Sequence, residues 1–188
     1  MLPLHQGGVC CAPPSLPDAD NGVMPNAEDD VDSIVRAWAT QRPDLDTSPF
    51  LVLSRITRIS TRLDRLRRRV FRRHGLDVWE FDVLATLRRA GAPFQLTPSE
   101  LIAHNLVSSG AMTNRINRLE AKGLVSREAD QEDGRKVVVT LQRSGRELVD
   151  RALEDLLVNE RALLSGLSAE DRQSLARALR ALSLTLSP

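Results

Sequence analysis

The chain alternates between stretches whose apolar residues recur at helical spacing and short stretches rich in Pro, Gly, Asp and Ser. The first periodic stretch has apolar residues at i, i+3, i+4 and i+7, namely Val31, Ile34, Val35 and Trp38. With Asp30 as an N-cap and Pro43 after the last apolar position, this stretch predicts a short amphipathic helix.

A longer helix is predicted to begin at Ser48 and Pro49, as N-cap and first helical residue, and to end near His74. Its apolar positions are Leu53, Ile56, Leu63, Leu66 and Val70. Gly75 follows as the residue that closes the helix in a left-handed conformation. Asp77 and Glu80 then form the capping box of a third helix.

The segment from Thr97 to Gly123 predicts two short helices joined by a tight turn. Thr97, Pro98 and Glu100 combine an N-cap, a proline at the first helical position and an acidic third residue. The first helix can extend only over about 98–104, and the second covers about 109–122 after a turn through Asn105. This arrangement is a helix-turn-helix motif.

The second of these helices has one apolar side and one small, amide-rich side. Met112, Ile116 and Leu119 occupy the apolar side at i, i+4 and i+7. The candidate DNA-binding residues on the other side and at its margin are Ser109, Gly110, Thr113, Asn114, Asn117 and Arg118. Such groups can hydrogen-bond to base edges and phosphates from a helix in the major groove. Alone, the pattern is equally compatible with an ordinary helical hairpin.

The next stretch favours DNA binding, because it predicts a two-stranded ribbon directly after the helix-turn-helix motif. A short strand turns at Asp133 and Gly134 and returns through Val137, Val138 and Val139. Arg135 and Lys136 lie at the tip of this wing, where a long cationic side chain can enter a minor groove. The surplus of basic residues in this region is modest.

Two further helices are predicted after the wing, from about Ser144 to Leu164 and after a cap at Ser168 and Asp171. Their apolar stripes contain Leu148, Ala152, Leu156, Leu163, Leu175, Leu179, Leu182 and Leu186. Part of this surface belongs to an intramolecular core. A winged domain of about 65 residues cannot cover three long peripheral helices, so we expect a two-fold partner as well.

Composition describes a soluble globular protein of 188 residues, with two cysteines, three histidines and no tyrosine. No apolar stretch approaches membrane-spanning length and the N-terminus lacks a secretion signal, so the expected localisation is cytoplasmic. The first 28 residues are acidic and Pro-rich and are predicted to be a disordered tail. The adjacent Cys10 and Cys11 fit neither a disulfide framework nor a metal site. Without a nucleophile motif, a phosphate loop or metal-ligand spacing, we expect no enzyme, cofactor or metal.

Together these features resemble the MarR family of bacterial transcription regulators, over roughly residues 30–188. The family's wing pattern, Asp-x-Arg-x5-Leu-Thr, is met by Asp133, Arg135 and Leu141, with Gln142 in place of the final Thr. The segment NRINRLEAKGLVSR is also typical of the family's recognition helix. The resemblance implies a mainly α fold with a small β-wing: a winged helix-turn-helix domain (77–142) flanked by dimerisation helices (29–76 and 143–188). It also implies a homodimer that reads a pseudo-palindromic promoter site in double-stranded DNA, as a repressor.

The added first helix with its Trp is similar to the urate-responsive branch of the family, the PecS and HucR type. In that branch four positions are associated with an anionic purine-like ligand. Here they correspond to Trp38, Asp82, Arg115 and Arg127. The resemblance therefore implies a small anionic aromatic ligand such as urate.

The residues alone leave a second interpretation of this group open. Asp82 and Arg115 both lean toward the apolar sides of their helices, where an unpaired charge is costly, so they can form a permanent ion pair. In that case Trp38 only fills the dimer core and the regulator responds to another ligand or to a redox signal. A thiol-based peroxide sensor would need a cysteine in the first helix, and this chain has none there.

The stretch RLDRLRRRVFRRHG carries many arginines beside Leu63, Leu66 and Val70. We interpret them as a solvated face or as ion-pair partners, with a contribution to the DNA-side potential left open. A helical protein-interaction module is the remaining alternative to a regulator, and it predicts no salt-dependent DNA binding.

Overall fold

The structure is a computed structural model, and it describes residues 28–129 and 136–186. The elements are α1 (Asp30–Gln41), α2 (Phe50–Arg73), α3 (Val78–Arg89), β1 (Gln95–Leu96), α4 (Pro98–Asn105), α5 (Ser109–Ala121), β2 (Val125–Ala129), β3 (Val137–Leu141), α6 (Arg143–Leu163) and α7 (Ala169–Thr185). The mainly helical fold with a small β-wing, predicted from the sequence, is confirmed. Most of the predicted tail and the wing tip, with Asp133, Gly134 and Arg135, lie outside the described residues.

The predicted helix ends are confirmed with two corrections. The capping boxes of α3 at Asp77 and of α4 at Thr97 are present, and Gly75 has a φ of 68° after α2. At α1 the N-cap is Asp29 rather than Asp30, because the Asp29 side chain accepts from two backbone N–H groups of the first turn. At α2 the helix begins at Phe50, and the Ser48 side chain donates to Asp46 instead of capping the helix.

The sheet contains one strand that the periodicity did not predict. β1 pairs antiparallel with β3, which also pairs antiparallel with β2, giving the order β1-β3-β2. The Ser126–Thr140 and Arg127–Val139 pairs set the register of β2 and β3, and Gln95 opposes Thr140 on the other side. β1 has only two residues and no repeating pattern, so only its pairing identifies it.

The core lies between α3, α4, α5, the sheet and the inner sides of α2 and α6. Its fully buried side chains include Val70, Leu84, Leu101, Met112 and Val139, and the rings of Phe71 and Phe81 stack at 4.1 Å. Burying each large apolar side chain stabilises the fold by about 1.5–3 kcal/mol. The winged domain is therefore built around one core, with α2 and α6 packed against it.

The outermost helix, α7, contributes nothing to this core. None of its residues is buried, and Leu175, Leu179, Leu184 and the adjoining Leu186 are each at least 43% exposed. No helix in the described part of the chain is long and apolar enough to cross a membrane.

Candidate nucleic-acid interface and ligand cleft

Helix α5 presents the candidate DNA-binding side chains because its opposite side is anchored in the core. Met112, Ile116 and Leu119 are at most 1% exposed. The residues on the solvent side are all exposed: Ser109, Gly110, Thr113, Asn114, Asn117 and Arg118. Ser108 is the N-cap and accepts from the Ala111 N–H at 3.4 Å. The predicted polar side of α5 is thus exposed to solvent.

The turn between α4 and α5 depends on an unusual backbone conformation. Leu106 has a φ of 51° and is 91% exposed, and left-handed conformations are uncommon for residues other than Gly. Asn105 steadies the turn, because its side-chain amide donates to the Leu101 carbonyl at 2.9 Å. The tight reorientation that the helix-turn-helix spacing predicted is present.

The base of the wing is described and its tip is not. Strands β2 and β3 pair over five residue pairs, from Val125 with Leu141 to Ala129 with Val137. Lys136 is exposed immediately before β3. Lys136 therefore lies at the end of the ribbon that projects from the core, as predicted, while Arg135 lies outside the described residues.

A cleft of about 400 Å³ lies where α2, α3 and α5 meet. Its lining residues are Arg68, Arg72, Leu76, Asp77, Val78, Trp79, Asp82 and Arg115. Three arginines, two aspartates and one indole around an apolar floor can hold a planar anion by charge and by stacking. Two of the four predicted ligand residues, Asp82 and Arg115, meet here.

Asp82 is half-buried in this cleft and forms no ion pair with a described residue. Burial raises the pKa of its carboxyl above the ordinary value, because the charged form loses hydration. The positive charges of Arg67, Arg115 and Arg89 act in the opposite direction and lower that pKa. Asp82 therefore does not form the predicted direct ion pair with Arg115. Its negative charge is instead stabilised at longer range by the three arginines Arg67, Arg115 and Arg89.

Trp79 is the aromatic wall of the cleft, and sequence reasoning missed it. The guanidinium carbon of Arg115 lies 5.5 Å from the Trp79 ring, and that of Arg118 lies 4.8 Å from it. Both distances are within the range of cation–π attraction. Trp79 precedes Asp82 by one i, i+3 step on α3, and this spacing is the signal that could have found it.

Trp38 and Arg127 do not reach this cleft within one chain. Trp38 is 47% exposed near the end of α1, and α1 packs beside the first half of α2, where Asp29 and Asp32 bind Arg55. Arg55 and Arg68 are about 20 Å apart along α2 at about 1.5 Å per residue. Arg127 pairs with Glu120 at 2.8 Å. Neither Trp38 nor Arg127 lines the cleft in the single chain.

Residues 74–136 match the model of the MarR family. The HTH-type transcriptional regulator PecS of Dickeya dadantii is 39% identical to the chain over 146 residues, which cover 78% of this chain and 88% of PecS. The chain belongs to the MarR family. The family and the PecS-like branch predicted from the sequence are thereby confirmed.

Two solved structures similar to this MarR-family chain are of proteins that bind DNA. A mutant MarR from E. coli, solved with operator DNA, has a TM-score of 0.59 and 26% identity, covering 73% of this chain and 99% of that one. Bordetella bronchiseptica BpsR, whose DNA binding is regulated by 6-hydroxynicotinic acid, has a TM-score of 0.59 and 25% identity, covering 70% and 92%. The MarR-family chain is a DNA-binding transcription regulator and not an enzyme.

The MarR-family domain also holds a buried ion pair that couples α3 to the end of the recognition helix. Glu80 is 1% exposed, and its carboxylate accepts from the Lys122 ammonium at 2.6 Å and from the Asp77 backbone N–H at 2.9 Å. The sequence identified Glu80 only as a capping residue. The contact joins the first turn of α3 to Lys122, the C-cap residue of α5.

Proposed function

We propose that this regulator binds a pseudo-palindromic promoter site as a homodimer, represses transcription from it, and releases the DNA when a small anionic aromatic ligand such as urate occupies the cleft. The observation that carries the proposal is the position of Trp79. Its ring contacts Arg115, which lines the cleft, and Arg118, which lies on the exposed side of α5. A ligand against this ring therefore acts on a residue at the DNA surface.

The exposed side chains of α5 supply the expected DNA contacts. Asn114 and Asn117 suit hydrogen bonding to adenine edges, Thr113 and Ser109 suit bases or phosphates, and Gly110 allows close approach of the backbone. Arg118, Lys136 and Arg135 supply positive charge at the margin and in the wing. With one recognition helix per chain, a two-fold dimer reads two half-sites about one helical turn apart or a multiple of it.

The homodimer is supported by the apolar surface that one chain leaves uncovered. A groove of about 850 Å³ separates α7 from the first half of α2. Its apolar lining comprises Leu51, Val52, Ile56, Ile59, Leu63, Leu175, Ala178, Leu179 and Leu182. Contiguous apolar surface of this kind marks an interaction site. A second copy that inserts its own α2 and α7 satisfies both surfaces at once, because a two-fold interface is self-complementary.

The ligand mechanism is a competition for the arginines of the cleft. In the free protein, the half-buried Asp82 is balanced by Arg67, Arg115 and Arg89. A planar anion that stacks on Trp79 draws Arg115 toward itself and leaves Asp82 to be repelled. The Arg118 contact with the same ring is disturbed as a result, and α5 loses its DNA-binding position. A coupling of about 1–3 kcal/mol gives a roughly 5- to 150-fold loss of DNA affinity, and DNA weakens ligand binding equally.

The test is a fluorescence anisotropy titration on a labelled duplex from the promoter of the chain's own gene, with urate and 6-hydroxynicotinic acid as ligand probes. We expect tight binding that weakens steeply with salt, and release of the duplex by at least one probe. Trp79→Leu and Arg115→Gln should blunt the release. Arg146→Gln is the matched control, because Arg146 lies over the Phe94 ring at 5.4 Å in an equivalent contact away from the cleft.

Three outcomes separate this proposal from its alternatives. Release that is unaffected by Arg115→Gln would leave the cleft as a permanent structural cluster and assign the response to another ligand or to a redox signal. Failure to bind any duplex at low salt would favour a protein-interaction module. Trp38→Phe and Arg127→Gln test those two residues separately, since a blunted response in either would place it beside the ligand in the dimer.

The Asp82→Asn variant tests the competition itself. Removing the carboxylate removes the repulsion of an anionic ligand, so the probe that releases DNA should bind the variant about tenfold more tightly, or about 1.4 kcal/mol. The fold should not lose stability at pH 7, because burial of Asp82 disfavours its charged form in the folded state and raises its pKa. Isothermal titration calorimetry measures the first effect, and weaker ligand binding would contradict the mechanism.

A further inference from the structure

Five arginines form a continuous row on the second half of α2. They are Arg65, Arg68, Arg69, Arg72 and Arg73, and together they line a surface depression of about 640 Å³ without any other residue. Their spacing of i, i+3, i+4, i+7 and i+8 places them on one side of the helix. At about 1.5 Å per residue, this arginine stripe is about 12 Å long.

The stripe has very little compensating negative charge. Arg73 pairs with Asp155 at 3.6 Å, and the other four form no ion pair with any acid in the described ranges. Asp77 and Asp82 share the neighbouring cleft with Arg68 and Arg72 without pairing with them. Elsewhere the chain pairs its arginines closely, as Arg55 with Asp32 at 2.7 Å and Arg88 with Asp150 at 2.9 Å. The interpretation of these arginines as internal ion-pair partners therefore holds only for Arg73.

The stripe is continuous with the DNA-binding surface. Arg68 and Arg72 line the cleft that Trp79 and Arg115 close on the other side, and Trp79 contacts Arg118 on the exposed margin of α5. Arginine side chains thus line a path from α5 across the cleft to α2, with Asp77 and Asp82 between them.

We infer that the arginine stripe is a second DNA-binding element that contacts the phosphate backbone beyond the bases read by α5. This inference rests on the proposed DNA-binding function and extends it to a helix outside the winged domain. A row of about 12 Å faces three to four phosphates of one strand at about 3.4 Å per nucleotide along the axis. The stripe is open and extended rather than enclosed, which suits a polymer better than a small anion. Its contribution is to affinity and register, because phosphate contacts carry no base information.

The experiment uses Arg65→Gln/Arg69→Gln in the full chain, since neither residue lines the ligand cleft. The control is Arg151→Gln/Arg161→Gln, which removes the same charge from exposed positions on α6. Promoter affinity is measured by anisotropy between about 50 and 300 mM salt. Each lost phosphate contact lowers the slope of log K against log salt by about 0.9, so a dimer with two altered stripes should lose about 2 to 4 units of slope. The control should keep the parent slope, and release by the ligand probe should persist in both variants.

Equal slopes for the stripe variant and the control would overturn the inference. A slope that falls only on specific promoter DNA, and not on a random duplex, would also overturn it, because phosphate contacts do not depend on sequence. If the parent itself binds no duplex, the proposed function fails. If the parent binds with a steep slope that the stripe variant retains, only this inference fails.

Discussion

At the residue scale, the ion pair between Glu80 and Lys122 joins two partners of very different burial. The Glu80 carboxylate is buried and accepts from two donors, whereas Lys122 is 43% exposed and can hydrate its ammonium when unpaired. Breaking a buried pair is most costly when the charge left behind cannot reach water. The two partners are therefore unequal, and loss of Lys122 is the more damaging change.

We predict that Lys122→Met lowers the free energy of unfolding by about 2–4 kcal/mol, because it leaves the Glu80 carboxylate buried without its cation. Urea unfolding at fixed protomer concentration measures this change, since dimer stability depends on concentration. Arg151→Met is the control for loss of an exposed cation. Adding Glu80→Gln to Lys122→Met should restore part of the loss, and an additive further loss would contradict this account.

Position 145 requires glycine because neighbouring atoms leave no room for a side chain, and not because of its backbone conformation. A Cβ at this position of α6 would lie 2.3 Å from the Leu124 carbonyl oxygen and 2.9 Å from the Leu141 side chain. The first contact is with backbone and cannot be relieved by a rotamer change. We predict that Gly145→Ala destabilises the protein by at least about 1–3 kcal/mol, the usual range for overpacking. Thermal unfolding should show this, while Gly110→Ala, which meets nothing within 4 Å, should leave the melting temperature unchanged or higher.

At the scale of single elements, α1 is attached to α2 by a cluster of ion pairs beside a small apolar contact. Val31 is its one buried residue, whereas Asp29 and Asp32 both bind the Arg55 guanidinium at 2.7–3.0 Å. The hydrogen bond from Arg55 lowers the pKa of Asp29 to about 2, and the pKa of Asp32 is lowered by the Asp29 backbone N–H and by Arg55. Protonation of Asp29 and Asp32 at low pH therefore weakens the attachment of α1 to α2.

We predict that α1 loosens from α2 as the pH falls from about 4 to about 2. A lowered carboxyl pKa in the folded state stabilises the contact above the unfolded value, and that contribution is lost as the pH falls through the folded value. Fluorescence of Trp38 in a Trp79→Phe background reports on α1 alone, because the chain has two tryptophans. In the Arg55→Gln variant, α1 should already be loosened from α2 at neutral pH, because the ion pairs with Asp29 and Asp32 are absent. An identical titration with and without Arg55 would contradict this prediction.

At the scale of the whole molecule, the distribution of apolar surface supports the proposed homodimer. The winged domain buries its own core, while α7 and the first half of α2 expose leucines, isoleucine and valine along a shared groove. If the chain dimerises through this groove as proposed, promoter affinity should depend on assembly, because a monomer would present one recognition helix where the dimer presents two.

We predict that Leu179→Glu raises the dimer dissociation constant by about 1000-fold, because losing one buried leucine in each copy costs about 4 kcal/mol in total. Sedimentation equilibrium measures the constant, and promoter affinity should fall with it. Leu184→Glu is the control on the same helix, since Leu184 is 70% exposed and does not line the groove. Equal dimer stability in the two variants would exclude this groove as the interface.

Among the residues that the structure describes, the sequence alone determined the order of the seven helices and of the two wing strands, and which residues of α5 are apolar and which are polar. Helical periodicity, the capping boxes at Asp77 and Thr97, and the glycine after α2 are local signals, and local backbone preferences carry them through to the fold. Helical spacing is also a local signal within α5, where it places Met112, Ile116 and Leu119 on one side and Asn114 and Asn117 on the other. The predicted starts of α1 and α2 differ by only one residue from the observed N-cap Asp29 and the observed first residue Phe50.

Only the tertiary structure decided which charges and rings meet. Trp79, Arg115 and Arg118 come together through the packing of α3 against α5, and no pattern within either helix states that distance. The separation of Trp38 from the cleft follows from where α1 lies along α2, and the two-residue strand β1 exists only through its pairing with β3. Periodicity and capping act over a few residues, whereas electrostatic and aromatic contacts depend on positions in space that many residues set jointly.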